Sequence, residues 1–366
     1  MNKPDYFFIG LVSTFLVFGL LMLASASAPT GLIKFGDSYY YLKRQLLHGL
    51  LPGIFLFLLF FRLDYRQLKK YSDLFLVGSI ILLLLVFIPG LRAEFGTARS
   101  WVNFFGLFSF QPSEITKLGL IIFLSAWLEY RIKIKHLPER QTFIKFLIIL
   151  SIFSGLVLLQ PDMGTMSIII FIGLLLYFSA GAPWYYLVSL GGILAVGFFA
   201  LIKIAPYRMA RFTIFLNPSI DTQGIGYHIT QALLAIGSGG FLGVGFMHSR
   251  QKFQYLPEVW ADSIFAVVGE ELGFIVSLLF IIGLVLFFLR GMKIVSGAPD
   301  YFGKFLAIGI CGWIVFQSFI NIAAMLSLMP LTGLPLPFVS YGGTSLMTVL
   351  AGCGILANIS KWMEKT

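Results

Sequence analysis

Residues 251–274 read QKFQYLPEVWADSIFAVVGEELGF, the one place where a long polar segment runs directly into an apolar span and carries three carboxylates, Asp262, Glu270 and Glu271, across the boundary. Charged residues make up 11% of the chain, so a carboxylate at the lip of a hydrophobic span is a candidate functional group. Asp262 has two readings. It can cap the helix that begins at SIFAVV, because Asp is a favoured N-cap, or it can be the reactive group of a site. One residue can do both.

Working outward, 58% of the 366 residues are hydrophobic and 39 are Phe. A soluble domain averages about 45–50% apolar residues, so the chain is an integral membrane protein. The net charge of +10 then has two membrane explanations, basic cytoplasmic loops and basic surfaces that hold lipid headgroups or pyrophosphate. No nucleic-acid-binding module is present, and no organic cofactor is expected. Cys311 and Cys353 fall in apolar segments and offer neither a disulfide framework nor CxxC spacing. His48, His136, His228 and His248 are scattered without HxxxH or HExxH, which argues against a dedicated zinc site.

The expected fold is an all-α polytopic membrane protein of about ten transmembrane helices, forming one domain over residues 1–366. Apolar runs lie near 6–24, 45–61, 72–90, 113–128, 142–159, 165–180, 183–204, 262–289 and 302–326, with a tenth ending near 359. The first run has span length, so it is read as retained although Ala24-Ser25-Ala26-Ser27-Ala28 mimics a cleavage site. Arg62, Arg66, Lys69 and Lys70 follow span two, Arg131, Lys133, Lys135 and Arg140 follow span four, and Arg290 and Lys293 follow span eight. These loops share a side, which the positive-inside rule makes cytoplasmic, together with both termini. The long loop 206–262, between spans seven and eight, is then extracytoplasmic.

Three outer segments concentrate polar groups. In the first, 91–112 is an outer loop carrying Arg99, and Ser113 is a candidate N-cap for span four. Glu114 and Lys117, three apart on that helix, face one another; they are either a structural ion pair or the polar floor of an outward cavity. The second is the 206–262 loop, with an amphipathic helix near 226–236 and Arg208, Arg211, Arg250 and Lys252 as candidate phosphate donors. Its glycines, Gly237, Gly239, Gly240, Gly243 and Gly245, could form a backbone anion nest, but no strand precedes them, so a dinucleotide fold or P-loop is rejected. The third, GLPLPFVSYGGTS at 333–345, combines prolines and glycines in a non-helical segment at membrane depth. Such backbone survives only when buried in protein or lining a wet cavity. Asn321 in span nine reads as an interhelical hydrogen-bonding group.

Taken together, GLPLPFVSYGGTSL, QKFQYLPEVWADSIFAVVGEELGF, FQPSEITK and NPSIDTQGIGYHITQALLAIGSGG resemble the SEDS family (shape, elongation, division and sporulation) over essentially the whole chain. The GDSYYYLKRQ loop and the SRQKFQYLPE run are nearer to its FtsW and sporulation branches than to its RodA branch. One departure is local. The family commonly reads LPExHTDFIFA, where this chain has Val259-Trp260-Ala261-Asp262-Ser263, so the His and Thr are absent and the Asp is retained.

The resemblance implies a peptidoglycan glycosyltransferase that polymerises lipid II on the outer face of the cytoplasmic (inner) membrane and releases undecaprenyl pyrophosphate. Asp262 matches the family's essential aspartate and would act as general base in an inverting displacement. Arg211, Arg250, Lys252, Arg99 and Lys117 are the candidates for holding pyrophosphate, with Glu114, Glu258 and Ser340 as further substrate-binding candidates. A divalent cation, Mg or Mn, could share the pyrophosphate charge. The family works with a class B penicillin-binding protein, a transpeptidase, within division or elongation assemblies. A rival reading, a lipid II flippase, would instead place the decisive groups along a transbilayer path through Glu114, Lys117 and Asn321.

Overall fold

In hydrocarbon every backbone amide needs a partner within the protein, and helices supply that locally. The structure, a computed structural model, describes residues 3–95, 98–104, 108–133, 139–204, 206–216 and 224–363. Helix α1 (Tyr6–Phe35) begins where Asp5 accepts the Phe8 amide at 3.0 Å and ends at Gly36, which takes a left-handed φ of 69°. It runs 11 residues past the expected end at 24, and Ala24 to Ser27, the supposed cleavage site, is buried helix. Helix α2 (Tyr40–Gln45), a π-helical turn (Leu46–Leu50) and α3 (Leu51–Arg62) form one continuous rod. The π turn brings Gly49 against the start of the last helix, where a Cβ would lie 3.1 Å from Gly343 Cα.

Short α4 (Arg66–Lys70) and α5 (Ser72–Leu85) precede the main surprise in secondary structure. The segment expected as a loop contains three antiparallel strands, β1 (Arg92–Phe95), β2 (Ala98–Phe104) and β3 (Phe108–Phe110), paired in chain order. Helices α6 (Pro112–Lys133), α7 (Glu139–Leu158), α8 (Met163–Ser179) and α9 (Trp184–Ile204) follow. Then come α10 (Pro206–Leu216), α11 (Ile225–Ser238), α12 (Ile264–Gly297), α13 (Tyr301–Met325) and α14 (Gly343–Ile359). Six described helical segments are long and apolar enough to cross a membrane, and α5 and α8 are shorter apolar helices. The fold is thus all-α and multi-pass. Length and hydropathy alone thus give fewer than the expected ten: α5 and α8 are short, α9 is not among the six, and α6, although long enough, carries Glu114, Lys117, Glu129, Arg131 and Lys133. Helices α13 and α14 are the innermost; Trp313, Ile314, Val349 and Cys353 are fully buried.

Helix α12 is broken. Gly273 adopts φ 73° and ψ −173°, which interrupts the helical ladder between a short arm, 264–272, and a long one. The freed groups pair with the segment after α11: Val244 N–H donates to Glu270 O and Gly245 N–H to Glu271 O, both at 3.0 Å. Phe274 and Ile275 N–H donate back to Gly240 O and Phe241 O at 2.9 and 3.2 Å. Two of the glycines read as an anion nest, Gly239 and Gly243, serve another end. At both, the missing Cβ lets two backbones touch, since a Cβ on Gly239 would meet Gly269 O and one on Gly243 would meet Glu271 O.

Replacing Gly273 by Ala puts a Cβ into Gly243 N at a left-handed φ and should cost on the order of 2–3 kcal/mol. Gly78→Ala, whose Cβ would meet nothing within 4 Å, is the matched control. Thermal unfolding of the detergent-purified variants checks this, with a lowered midpoint expected for Gly273→Ala alone.

Candidate functional site

Asp262 does not cap a helix. The residue preceding α12 is Ser263, no side chain there bonds to the first turn, and Asp262 sits one residue earlier in a turn. What holds it is its backbone. Three successive carbonyls are each taken by a different donor: Trp260 O accepts Tyr341 N–H at 2.7 Å, Ala261 O accepts the Ser340 hydroxyl at 2.5 Å, and Asp262 O accepts Asn321 Nδ2 at 2.8 Å. Two donors come from the 333–343 segment and one from α13. Asn321 also donates to Leu334 O at 2.8 Å, so one amide ties the two strips of chain together.

The 333–343 segment is itself held by α1 and by the rod that begins with α2. Gln45 on α2 donates to Ser340 O at 3.3 Å and accepts Gly342 N–H at 3.0 Å. Gly19 on α1 lets the Phe338–Val339 backbone approach within the space of a side chain, and Phe338, at φ 67°, stacks on Phe15. From the other side, Lys117 donates to Glu114 Oε1 at 2.7 Å and to Gln317 Oε1 at 2.8 Å, and Gln317 donates to Pro335 O at 2.9 Å. The Trp313 ring covers the Lys117 ammonium at 4.9 Å. The Glu114–Lys117 pair is therefore a structural ion pair, fully enclosed in protein, that braces the 333–343 segment through Gln317.

The carboxylate, by contrast, is left open. Asp262 Oδ1 is buried without a hydrogen-bond partner, and Oδ2 lies 3.9 Å from where a Cβ on Gly333 would stand. Burial pushes its pKa up to about 6, offset in part by backbone amides and by the Arg211 guanidinium. Arg211 on α10 is anchored by donating to Leu331 O at 3.2 Å. Glu258 is exposed, in a left-handed backbone at φ 48°; desolvation and the neighbouring Asp262 charge raise its pKa, while Lys34 opposes this. Trp260 stacks on Tyr41 with ring centroids 5.0 Å apart, and Lys34 covers its ring at 5.2 Å. An ionised carboxylate with an unengaged oxygen, in a low-dielectric recess beside a fixed cation, is poised to take a proton.

The other candidates separate. Arg211 and Glu258 join Asp262, whereas Ser340 commits its hydroxyl to Ala261 O and to Leu336 N–H at 2.8 Å and has a backbone role. Lys252 is 3% exposed and donates to Glu271 Oε1, Ser25 Oγ and Met247 O at 2.8, 3.0 and 2.7 Å, so it has no proton left for pyrophosphate. Lys117 is fully buried beneath the Trp313 ring, bonded to Glu114 and Gln317, and so is not open to pyrophosphate either. Arg250 keeps an exposed side chain while its backbone N–H donates to Glu270 Oε1 at 2.8 Å. Arg99 lies on β2, with its side chain outside the described residues. The Ser113 hydroxyl caps nothing. Glu270 and Glu271 turn out to be the mould of the 247–252 loop, taking its N–H groups and the Ser249 hydroxyl.

Residues 5–365 match the family described as Cell cycle protein, FTSW_RODA_SPOVE. The chain belongs to the FtsW/RodA/SpoVE family. It is 42% identical to Stage V sporulation protein E of Bacillus subtilis over 99% of this chain and 98% of that one. A Geobacter sulfurreducens protein named probable peptidoglycan glycosyltransferase FtsW is 38% identical, covering 94% and 91%. Among solved structures, a chain from a study of polymerization and crosslinking by a peptidoglycan synthase complex superposes with a TM-score of 0.79 at 28% identity, covering 98% and 97%. The rod shape determining protein RodA of Thermus thermophilus gives 0.72 at 27%, covering 99% and 98%. The family resemblance read from the motifs is thus borne out along the whole chain.

Removing one partner of the enclosed Lys252–Glu271 pair strands a buried charge, which typically costs about 3–5 kcal/mol. Lys252→Met should therefore markedly lower the unfolding midpoint, whereas Arg250→Ala, at an exposed side chain, should leave it within about 0.5 kcal/mol of wild type.

Proposed function

We propose that this protein is a peptidoglycan glycosyltransferase that polymerises lipid II into glycan strands, in the cytoplasmic membrane with both termini in the cytoplasm. The observation that carries the reading is Asp262, a carboxylate whose backbone is held at three points while one oxygen stays unengaged. In the proposed step Asp262 takes the proton of the acceptor sugar hydroxyl, whose oxygen attacks the donor's anomeric carbon. The new glycosidic C–O bond forms as the C–O bond to pyrophosphate breaks, and undecaprenyl pyrophosphate departs with the electron pair. A single base suffices for an inverting displacement when the leaving group needs no proton.

Arg211 is the cation beside the base, and Arg250 is an exposed guanidinium of the same loop that can meet the leaving charge. Among the described residues no three acidic, His or Cys side chains converge, so Mg or Mn would take at most the carboxylates of Asp262 and Glu258 as hard oxygen ligands and fill its shell from phosphate and water. Such an ion would offset the pyrophosphate charge. The partner proposed is a class B penicillin-binding protein, in a division or elongation assembly. The closed Glu114–Lys117–Gln317 network favours the polymerase over a flippase, since these groups bond one another and span no open path.

Purified protein, with its transpeptidase where needed, and fluorescent lipid II should give glycan strands on a gel. Asp262→Asn should abolish them by about 10²–10⁴-fold in rate while lipid II still binds. Normal strands from that variant would remove Asp262 from the chemistry, and translocation of lipid II across vesicles without strands would favour transport. Because the base works ionised and its pKa is raised to about 6, the wild-type rate should fall as pH drops through that value and level off above it. A rate that is flat from pH 7 to pH 5 would contradict the assignment.

A further inference from the structure

Ser263, the fully buried neighbour of Asp262, makes two hydrogen bonds through one hydroxyl. Its Oγ lies 2.8 Å from Pro257 O and 2.6 Å from His228 Nε2. A carbonyl can only accept, so the single hydroxyl proton goes to Pro257, and Ser263 must accept from the imidazole. His228 therefore carries its hydrogen on Nε2. Desolvation and the Arg211 charge hold its pKa down at about 4, so near neutral pH the ring is uncharged and its tautomer is set by this bond.

The pair closes the loop that holds the base. Pro257 and Ser263 are the two ends of a turn that contains Glu258 in a left-handed conformation, Trp260 and Asp262, and Ser263 N–H also donates to Glu258 O at 3.4 Å. The carbonyls of 260–262 are fastened toward α13 and the 333–343 segment; His228 on α11 fastens the turn from a separate element. We propose that His228 is a positioning residue for Asp262, acting through Ser263 to fix the direction of its carboxylate. The proposal rests on the reading of Asp262 as the general base. Displacing a reacting group by about 1 Å can cost on the order of 10²-fold in rate without weakening substrate binding.

The test is lipid II polymerisation by the same purified protein, in its complex where needed, with kcat and KM determined separately. His228→Ala and Ser263→Ala should each lower kcat by roughly 10–100-fold with KM changed less than about twofold. The double variant should be no slower than the slower single one, because both break one linkage. His228→Gln carries an amide N–H at about the reach of Nε2 and should restore most of the rate; His228→Asn carries the same amide at the reach of Nδ1 and should not. Multiplying losses in the double variant, or equal rates for Gln and Asn, would overturn the proposal. The Gln and Asn variants differ by one methylene, so they decide the matter even if the Ala variants fail to fold. Asp262→Asn run in parallel separates the two levels. If it polymerises, the reading of Asp262 fails. If it is dead while His228→Asn matches wild type, only the positioning role fails.

Discussion

Three adjacent peptide carbonyls, those of Trp260, Ala261 and Asp262, fix the candidate site. Holding a carboxylate by its side-chain oxygens would consume the atoms that must react. Holding it by the backbone leaves Oδ1 free and still defines where it points. Burying an unpaired carboxylate oxygen is costly, so the surrounding structure must over-determine the position. Asn321, Ser340 and Tyr341 do this directly, and Gln45, Gln317 and the Phe15–Phe338 stack hold the 333–343 segment in turn.

The same logic explains why so many polar side chains near the site are not available to a ligand. Lys117 and Lys252 look equivalent to Arg211 in a list of cations, yet each has its ammonium surrounded by protein acceptors. In a low-dielectric interior an unpaired ammonium is too expensive to keep in reserve. Arg211 differs because one end of its guanidinium is tethered to Leu331 O while its charge reaches Asp262 and His228. Tethering by a neutral carbonyl keeps the charge uncompensated and therefore useful.

Much of this was legible from residue patterns. Hydropathy located the helices within a few residues in most cases, the Pro- and Gly-rich 333–345 stretch declared itself non-helical, and the Glu114–Lys117 spacing announced its ion pair. What escaped has physical causes. The strands of 92–110 have no apolar alternation strong enough to stand out beside spans. The glycines of 237–245 signal close backbone approach equally for an anion and for another chain segment, and only the break at Gly273 decides between them. Lys252 lost its expected role because its partners, Ser25 and Glu271, lie 227 and 19 residues away. His228 was dismissed as one of four scattered imidazoles, and no local pattern links it to Ser263.

The contacts between Gly19 and Phe338 and between Gln45 and Ser340 have a bearing on biogenesis. The helices that leave the ribosome first must wait, already inserted, until nearly the whole chain has followed before their polar groups and bared glycine find partners. A site that joins the beginning of the chain to its end is assembled last, since pairings of such high sequence separation are slow to form. The 260–261 carbonyls thus meet their donors, Tyr341 and Ser340, only when the last segments of the chain have been made.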